Sequence, residues 1–223
     1  MRLTRNHSGL TLIVFIALLL SLLTNKSFAH PHAWIEIKST LLFNKAGEIE
    51  AIKQQWLFDE FYTEFMIHDF GLKKNGVLDT AKLQSIAEQN LKNLHDYSYF
   101  TFMDSDEKRI DFKNHSDVSS TIEGQNIVLN FTISLKKPIN PRTKKVSYRI
   151  YDPSYYIEML HAEKDGFNAM GNSTSCALTR EQPKPNAAYI SLAAAMDKNA
   201  KATEDLGGFF AERIHIDCNE KKP

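Results

Sequence analysis

The chain has 223 residues, of which 27 are basic and 27 are acidic, so its formal net charge is zero. This length is enough for one large domain or two small ones with a sizeable hydrophobic core. The balanced charge excludes a typical nucleic-acid-binding protein, which carries a basic excess or a basic stripe.

The first 29 residues are predicted to be a secretory signal peptide that takes no part in the fold. Arg2 and Arg5 precede the apolar run 10–23, and a short polar stretch then ends at the small residue Ala29. This order is that of a cleaved export signal, and the run is shorter than the roughly 20 residues that cross a bilayer. Cleavage after Ala29 would remove basic but no acidic residues and leave His30 as the first residue. We therefore expect a mildly acidic periplasmic protein that does not itself span the membrane.

The mature chain, residues 30–223, is predicted to form a single α+β domain with a mainly antiparallel sheet. Apolar and polar residues alternate in 33–43 and 48–58 around the turn sequence NKAG, which predicts an antiparallel hairpin. Apolar residues at three-to-four spacing in 59–70 and 78–94 predict a two-helix insertion after this hairpin.

The remaining residues are predicted to form short strands, starting at 97–103, and one further helix near the C-terminus, at 186–200. The polar stretch 164–174 is predicted to be a surface loop. One stretch is rich in aromatic residues: Trp56, Phe58, Phe61 and Phe65. Aromatic residues at helical spacing are usually core residues, and a binding groove is the alternative.

Cys176 and Cys218 are the only cysteines in the chain. In an oxidising compartment such a pair most simply forms a disulfide. The alternative is a thiolate metal site that includes His215, which lies three residues before Cys218.

The new N-terminus is the segment best suited to bind a metal ion. His30 would offer an α-amine and an imidazole, a chelating pair for zinc, nickel or copper. His32 would lie on the same face of an extended chain. Because Pro31 has no amide hydrogen, a square-planar site built on the first amide nitrogens is disfavoured. The alternative is that both histidines simply begin an exposed strand.

Further ligands would have to come from neighbouring elements. Asp59 and Glu60 end the second strand of the predicted hairpin, beside the strand that begins near His32. We predict Asp59 as the additional ligand, although an acidic residue at this position also suits the start of a helix.

Sequence signatures of catalysis are not found. The chain has no Gly-x-Ser-x-Gly elbow, no glycine-rich phosphate loop and no His-Glu-x-x-His motif. We therefore assign no catalytic residue and expect no enzyme activity.

The segments AHPHAWIEI, WLFDEFYTEF, YDPSYYIEM and FAERIHIDC make the chain resemble an uncharacterised family of bacterial periplasmic proteins. That family is often labelled the periplasmic component of an uncharacterised ABC-type transport system. Its members are commonly found beside permeases of the nickel/cobalt type, and some are linked to zinc acquisition. The resemblance implies a periplasmic partner of an inner-membrane metal permease.

The resulting hypothesis is a periplasmic protein that binds a divalent transition metal, zinc or nickel, through His30, His32 and Asp59. One alternative is a redox protein in which the amine and imidazole of His30 hold copper. Another is an interaction module of a transporter that binds no metal.

Overall fold

A computed structural model of the protein describes residues 31–173, 176–195 and 205–218. Its strands form two large sheets and one small hairpin, and most strand pairs are antiparallel. Two helices follow the first hairpin and another lies near the C-terminus, so the predicted α+β fold is confirmed. No helix in these ranges is both long and apolar enough to cross a membrane.

The first sheet carries the start of the mature chain. Its strands are β1 (Ala33–Phe43), β2 (Ile49–Phe58), β7 (Phe112–Glu123), β8 (Asn126–Ile139), β10 (Ile157–His161) and β11 (Phe167–Gly171). Their order is β10-β1-β2-β8-β7, and β11 also pairs with β1. β1 and β2 form the predicted antiparallel hairpin, whereas β10 and β11 lie parallel to the first and second halves of β1.

The second sheet is antiparallel throughout and lies over the first. Its strands are β5 (Thr101–Ser105), β6 (Lys108–Ile110), β9 (Val146–Ile150), β12 (Ala177–Glu181) and β13 (Arg213–Asp217). Their order is β12-β13-β9-β5-β6. One apolar core contains inward-facing residues of both sheets, such as Ile37 and Leu41 of β1 with Tyr148 of β9 and Ile214 of β13.

Among the described residues, four α-helices accompany the sheets: α1 (Glu60–Asp69), α2 (Thr80–Leu94), α3 (Ala187–Ala195) and the single turn α4 (Gly207–Phe210). The small hairpin of β3 (Lys73–Lys74) and β4 (Val77–Leu78) connects α1 to α2. α1 and α2 are the predicted two-helix insertion, and each begins at an aspartate whose side chain accepts a backbone hydrogen bond.

Two predicted segments differ in the structure. The loop predicted at 164–174 contains β11, whose pairing with β1 involves residues far away in sequence. The strand predicted at 97–103 begins only at Thr101, because residues 95–100 form a 3₁₀ turn. Tyr99 in this turn has a φ of 55°, a left-handed backbone conformation that strands do not contain.

Candidate functional site at the start of strand β1

His32 lies on the surface immediately before β1. Its backbone N–H donates to the Tyr156 carbonyl oxygen at 2.9 Å, and its ring centroid is 4.9 Å from that of Tyr156. His32 is exposed, and its imidazole lies against the Tyr156 ring. His30 lies outside the described residues, so its predicted role as a ligand stays a prediction.

Asp59 joins β1 to the first turn of α1. Its Oδ1 accepts a hydrogen bond from the Tyr62 N–H at 2.9 Å, and its Oδ2 accepts one from the Trp34 N–H at 2.8 Å. The Asp59 N–H in turn donates to the Trp34 carbonyl oxygen at 3.0 Å. The carboxylate is thus bonded to the backbone of β1 only two residues after His32.

Tyr62 lies near this carboxylate and near Tyr156. Burial raises the pKa of the Tyr62 phenol, and the nearby Tyr156 and Asp59 raise it further by charge repulsion. Tyr62 therefore stays a neutral phenol close to both Tyr156 and Asp59. Neither tyrosine was selected from the sequence. For Tyr156 the reason is that only the strand register places it beside the start of β1.

The donor atoms at this site suit a transition metal in type but are incomplete in number. An imidazole and a carboxylate are common zinc and nickel ligands, and zinc sites use three or four protein donors. Each Asp59 oxygen accepts one backbone hydrogen bond and keeps a lone pair. Within the described ranges, no group of three or more His, Cys, Asp or Glu residues is arranged to hold a metal ion. A complete site would therefore need the amine or imidazole of His30.

The aromatic residues of α1 do not lie where they were predicted. Phe61 is 86% exposed and Phe65 is 55% exposed, so the prediction that they are core residues is wrong, whereas Trp56 is a core residue as predicted. α1 instead buries Thr63, Met66 and Ile67, which occupy its opposite face. The Thr63 hydroxyl accepts a hydrogen bond from a backbone N–H of β8 at 3.0 Å, which helps to fix this helix orientation.

A second polar arrangement lies between the two sheets and was not predicted from the sequence. Glu212 Oε2 is 3.0 Å from His161 Nδ1, and His161 Nε2 is 3.1 Å from the Ser39 hydroxyl oxygen. The Ser39 oxygen is also 2.7 Å from the Tyr148 hydroxyl oxygen. The order serine, histidine, carboxylate is that of an acyl-transfer triad. However, Ser39 is only 1% exposed, so its hydroxyl cannot meet a substrate in this conformation.

The predicted disulfide is confirmed, because Cys176 and Cys218 are bonded to each other. The alternative of a thiolate metal site that includes His215 is thereby excluded. The His215 ring instead contacts Glu181, with Nε2 and Oε2 2.6 Å apart. A cross-link of this kind is typical of an oxidising compartment.

Comparison with known proteins shows relatives whose function is undescribed. Residues 15–218 match the model of a family described as "Protein of unknown function (DUF1007)". An uncharacterized protein of Haemophilus influenzae is 25% identical over 193 residues, which cover 85% of this chain and 91% of the relative. The matched range contains His32, Asp59 and both cysteines. Neither description mentions transport, so the link to a permease remains a prediction.

Proposed function

The chain belongs to the DUF1007 family, and we propose that it is a periplasmic protein that binds a divalent transition metal, zinc or nickel, for an inner-membrane metal permease. The metal is cargo, held at the start of β1 by His30, His32 and Asp59. The observation that carries the proposal is the hydrogen bond between the Asp59 carboxylate and the Trp34 N–H. This bond fixes a carboxylate two residues from an exposed histidine.

The exposure of the site suits transfer of a metal ion better than permanent storage. His32 lies at the surface, where an incoming ligand of a permease can reach the ion. Metal binding requires neutral imidazoles and a neutral amine, so affinity should fall as the pH is lowered through the range in which these groups become protonated. Ligand type does not distinguish zinc from nickel, because imidazole binds both.

The experiment is native mass spectrometry of protein purified from the periplasm with no tag at its N-terminus. The mass reports the first residue and any bound metal together. We expect a chain that starts at His30 and carries one zinc or nickel ion, and we expect His30→Ala/His32→Ala to lose that ion. His95→Ala is the matched control, because His95 is an exposed histidine beyond the end of α2.

Two results would contradict the proposal. A chain that starts at His30, retains no ion and takes up none on titration would leave the interaction module as the better hypothesis. One copper ion with oxygen- or peroxide-dependent turnover would instead favour the copper redox protein.

A further inference from the structure

A continuous surface around the start of β1 combines exposed apolar side chains with carboxylates; we call it the acidic aromatic surface. Its exposed apolar residues are Trp34 (46%), Phe61 (86%), Phe65 (55%), Tyr156 (44%) and Leu160 (37%). Asp59 and Tyr62 connect these residues: Asp59 bonds the Trp34 N–H and caps the turn that contains Tyr62, which lies near Tyr156. The Tyr62 ring lies 6.4 Å from the Phe65 ring, centroid to centroid. Large aromatic side chains exposed together are typical of protein interfaces.

Part of this surface is concave. Trp34 and Leu160 border a depression of about 280 Å³ on the outer face of β1 and β10. Three carboxylates also line it: Glu36, Glu158 and Glu163. An apolar side chain with a positive charge close by would match this depression in both shape and charge.

The charge of the surface is strongly negative. Three further carboxylates belong to the surface: Asp59, which bonds the Trp34 N–H, and Glu60 and Glu64, which are exposed on α1. The lysines nearest in sequence are Lys38, further along β1, and Lys164, which follows Glu163. The surface therefore presents six carboxylates. Arg180 also lies at its margin, but its guanidinium pairs with Glu212 and bonds the Ala162 carbonyl oxygen.

We propose that the acidic aromatic surface binds a basic segment of a partner protein that also carries apolar side chains. Charge complementarity selects this occupant over two others. Anionic lipid would be repelled by the carboxylates, and a second copy would bring the same negative charges face to face. The partner's location at the inner membrane rests on the proposed function, whereas its basic chemistry rests on this surface alone.

The segment binds the face of the sheet and not its edge. β10 is an edge strand, but the N–H groups of Ile157 and His161 on its outer side donate to the carboxylates of Asp152 and Glu212. These side chains occupy the positions that an added strand would need. Side-chain contacts with the aromatic residues and carboxylates must therefore supply the affinity.

The experiment is co-sedimentation of the mature, untagged protein with right-side-out inner-membrane vesicles from the cells that naturally produce it. We expect saturable binding that weakens as salt is raised and disappears when the vesicles are first treated with protease. Phe61→Ser/Phe65→Ser should weaken binding by about tenfold or more, because exposed aromatic residues dominate interface energies. Glu60→Gln/Glu64→Gln should weaken binding and reduce its dependence on salt.

The matched control is Glu50→Gln/Glu107→Gln, which also removes two exposed carboxylates but at the far end of β2 and in the turn between β5 and β6. It should bind as the wild type does. Equal binding to protein-free liposomes of the same lipids would overturn the inference in favour of a lipid surface. Absence of binding, or binding unchanged by the phenylalanine variant, would also overturn it. So would a dimer that the phenylalanine variant dissociates.

Metal uptake measured on the same variants separates this inference from the proposed function. Vesicle binding is measured both with zinc and with a chelator present. Metal uptake without vesicle binding would overturn only the docking surface. Vesicle binding without metal uptake would overturn only the metal site.

Discussion

Asp59 stabilises the fold whether or not it binds a metal, because it caps α1 and also bonds the backbone of β1. We predict that Asp59→Ala lowers the free energy of unfolding by about 1–2 kcal/mol, since two backbone N–H groups lose their acceptor. Urea denaturation measures this loss. Asp79→Ala is the control, because Asp79 caps α2 with a single hydrogen bond to the Lys82 N–H. A loss no larger than that of the control would contradict the structural role of the bond to Trp34.

Asp59 and His32 could be selected from the sequence because each lies at a boundary that local patterns mark. His32 follows the predicted cleavage site, and Asp59 stands where the apolar period changes from that of a strand to that of a helix. Tyr156 could not be selected in this way. It lies beside His32 only because β10 runs parallel to β1, and no local pattern specifies that pairing.

Among the elements, those that local sequence patterns specify were predicted correctly, whereas those that depend on contacts with distant residues were not. The first hairpin and the helices α1 and α2 follow from short-range periodicity and turn residues. The stretch 164–174 was predicted as a loop because it is polar. In the structure β11 buries only Phe167 and Ala169 in part, and it pairs with β1, which is distant in sequence. The wrong face was predicted for α1 because aromatic spacing suggested a core, whereas the sheet contacts the side that contains Met66 and Ile67.

The contact between β10 and β13 depends on an ionised Glu212. Burial raises the pKa of this carboxyl, but hydrogen bonds from the side chain and N–H of His161, with the charges of His161 and Arg180, outweigh it. The pKa in the folded protein is therefore below the ordinary value of 4.5. Glu212 thus contributes stability that is fully present above about pH 4.5 and is lost as the pH falls through the lower, folded-state value.

We predict that Glu212→Gln is less stable than the wild type at pH 7 by about 2 kcal/mol, because charged hydrogen bonds are lost. The difference between the two proteins should shrink as the pH falls below about 4.5. Denaturation midpoints measured across the acid range test this, with the exposed Glu107→Gln as control. A difference that stays constant with pH would show that the ionisation of Glu212 does not stabilise the contact.

For the whole molecule, the disulfide joins the segment that follows β13 to the segment that precedes β12. It joins Cys218, which is buried next to β13, to Cys176, which directly precedes β12, across a separation of 42 residues. We predict that reduction, or Cys176→Ala/Cys218→Ala, lowers the free energy of unfolding by about 3–4 kcal/mol, because the unfolded chain regains the entropy that the cross-link removes. The single variant Cys176→Ala is the control and should lose nearly as much, since the cross-link is absent there too.

Metal uptake by the folded, reduced protein should be unchanged, because β1, β2 and β10 all precede Cys176. A denaturation midpoint that is insensitive to reductant would contradict the stabilising role of the disulfide, and loss of metal uptake on reduction would place part of the site in the C-terminal quarter.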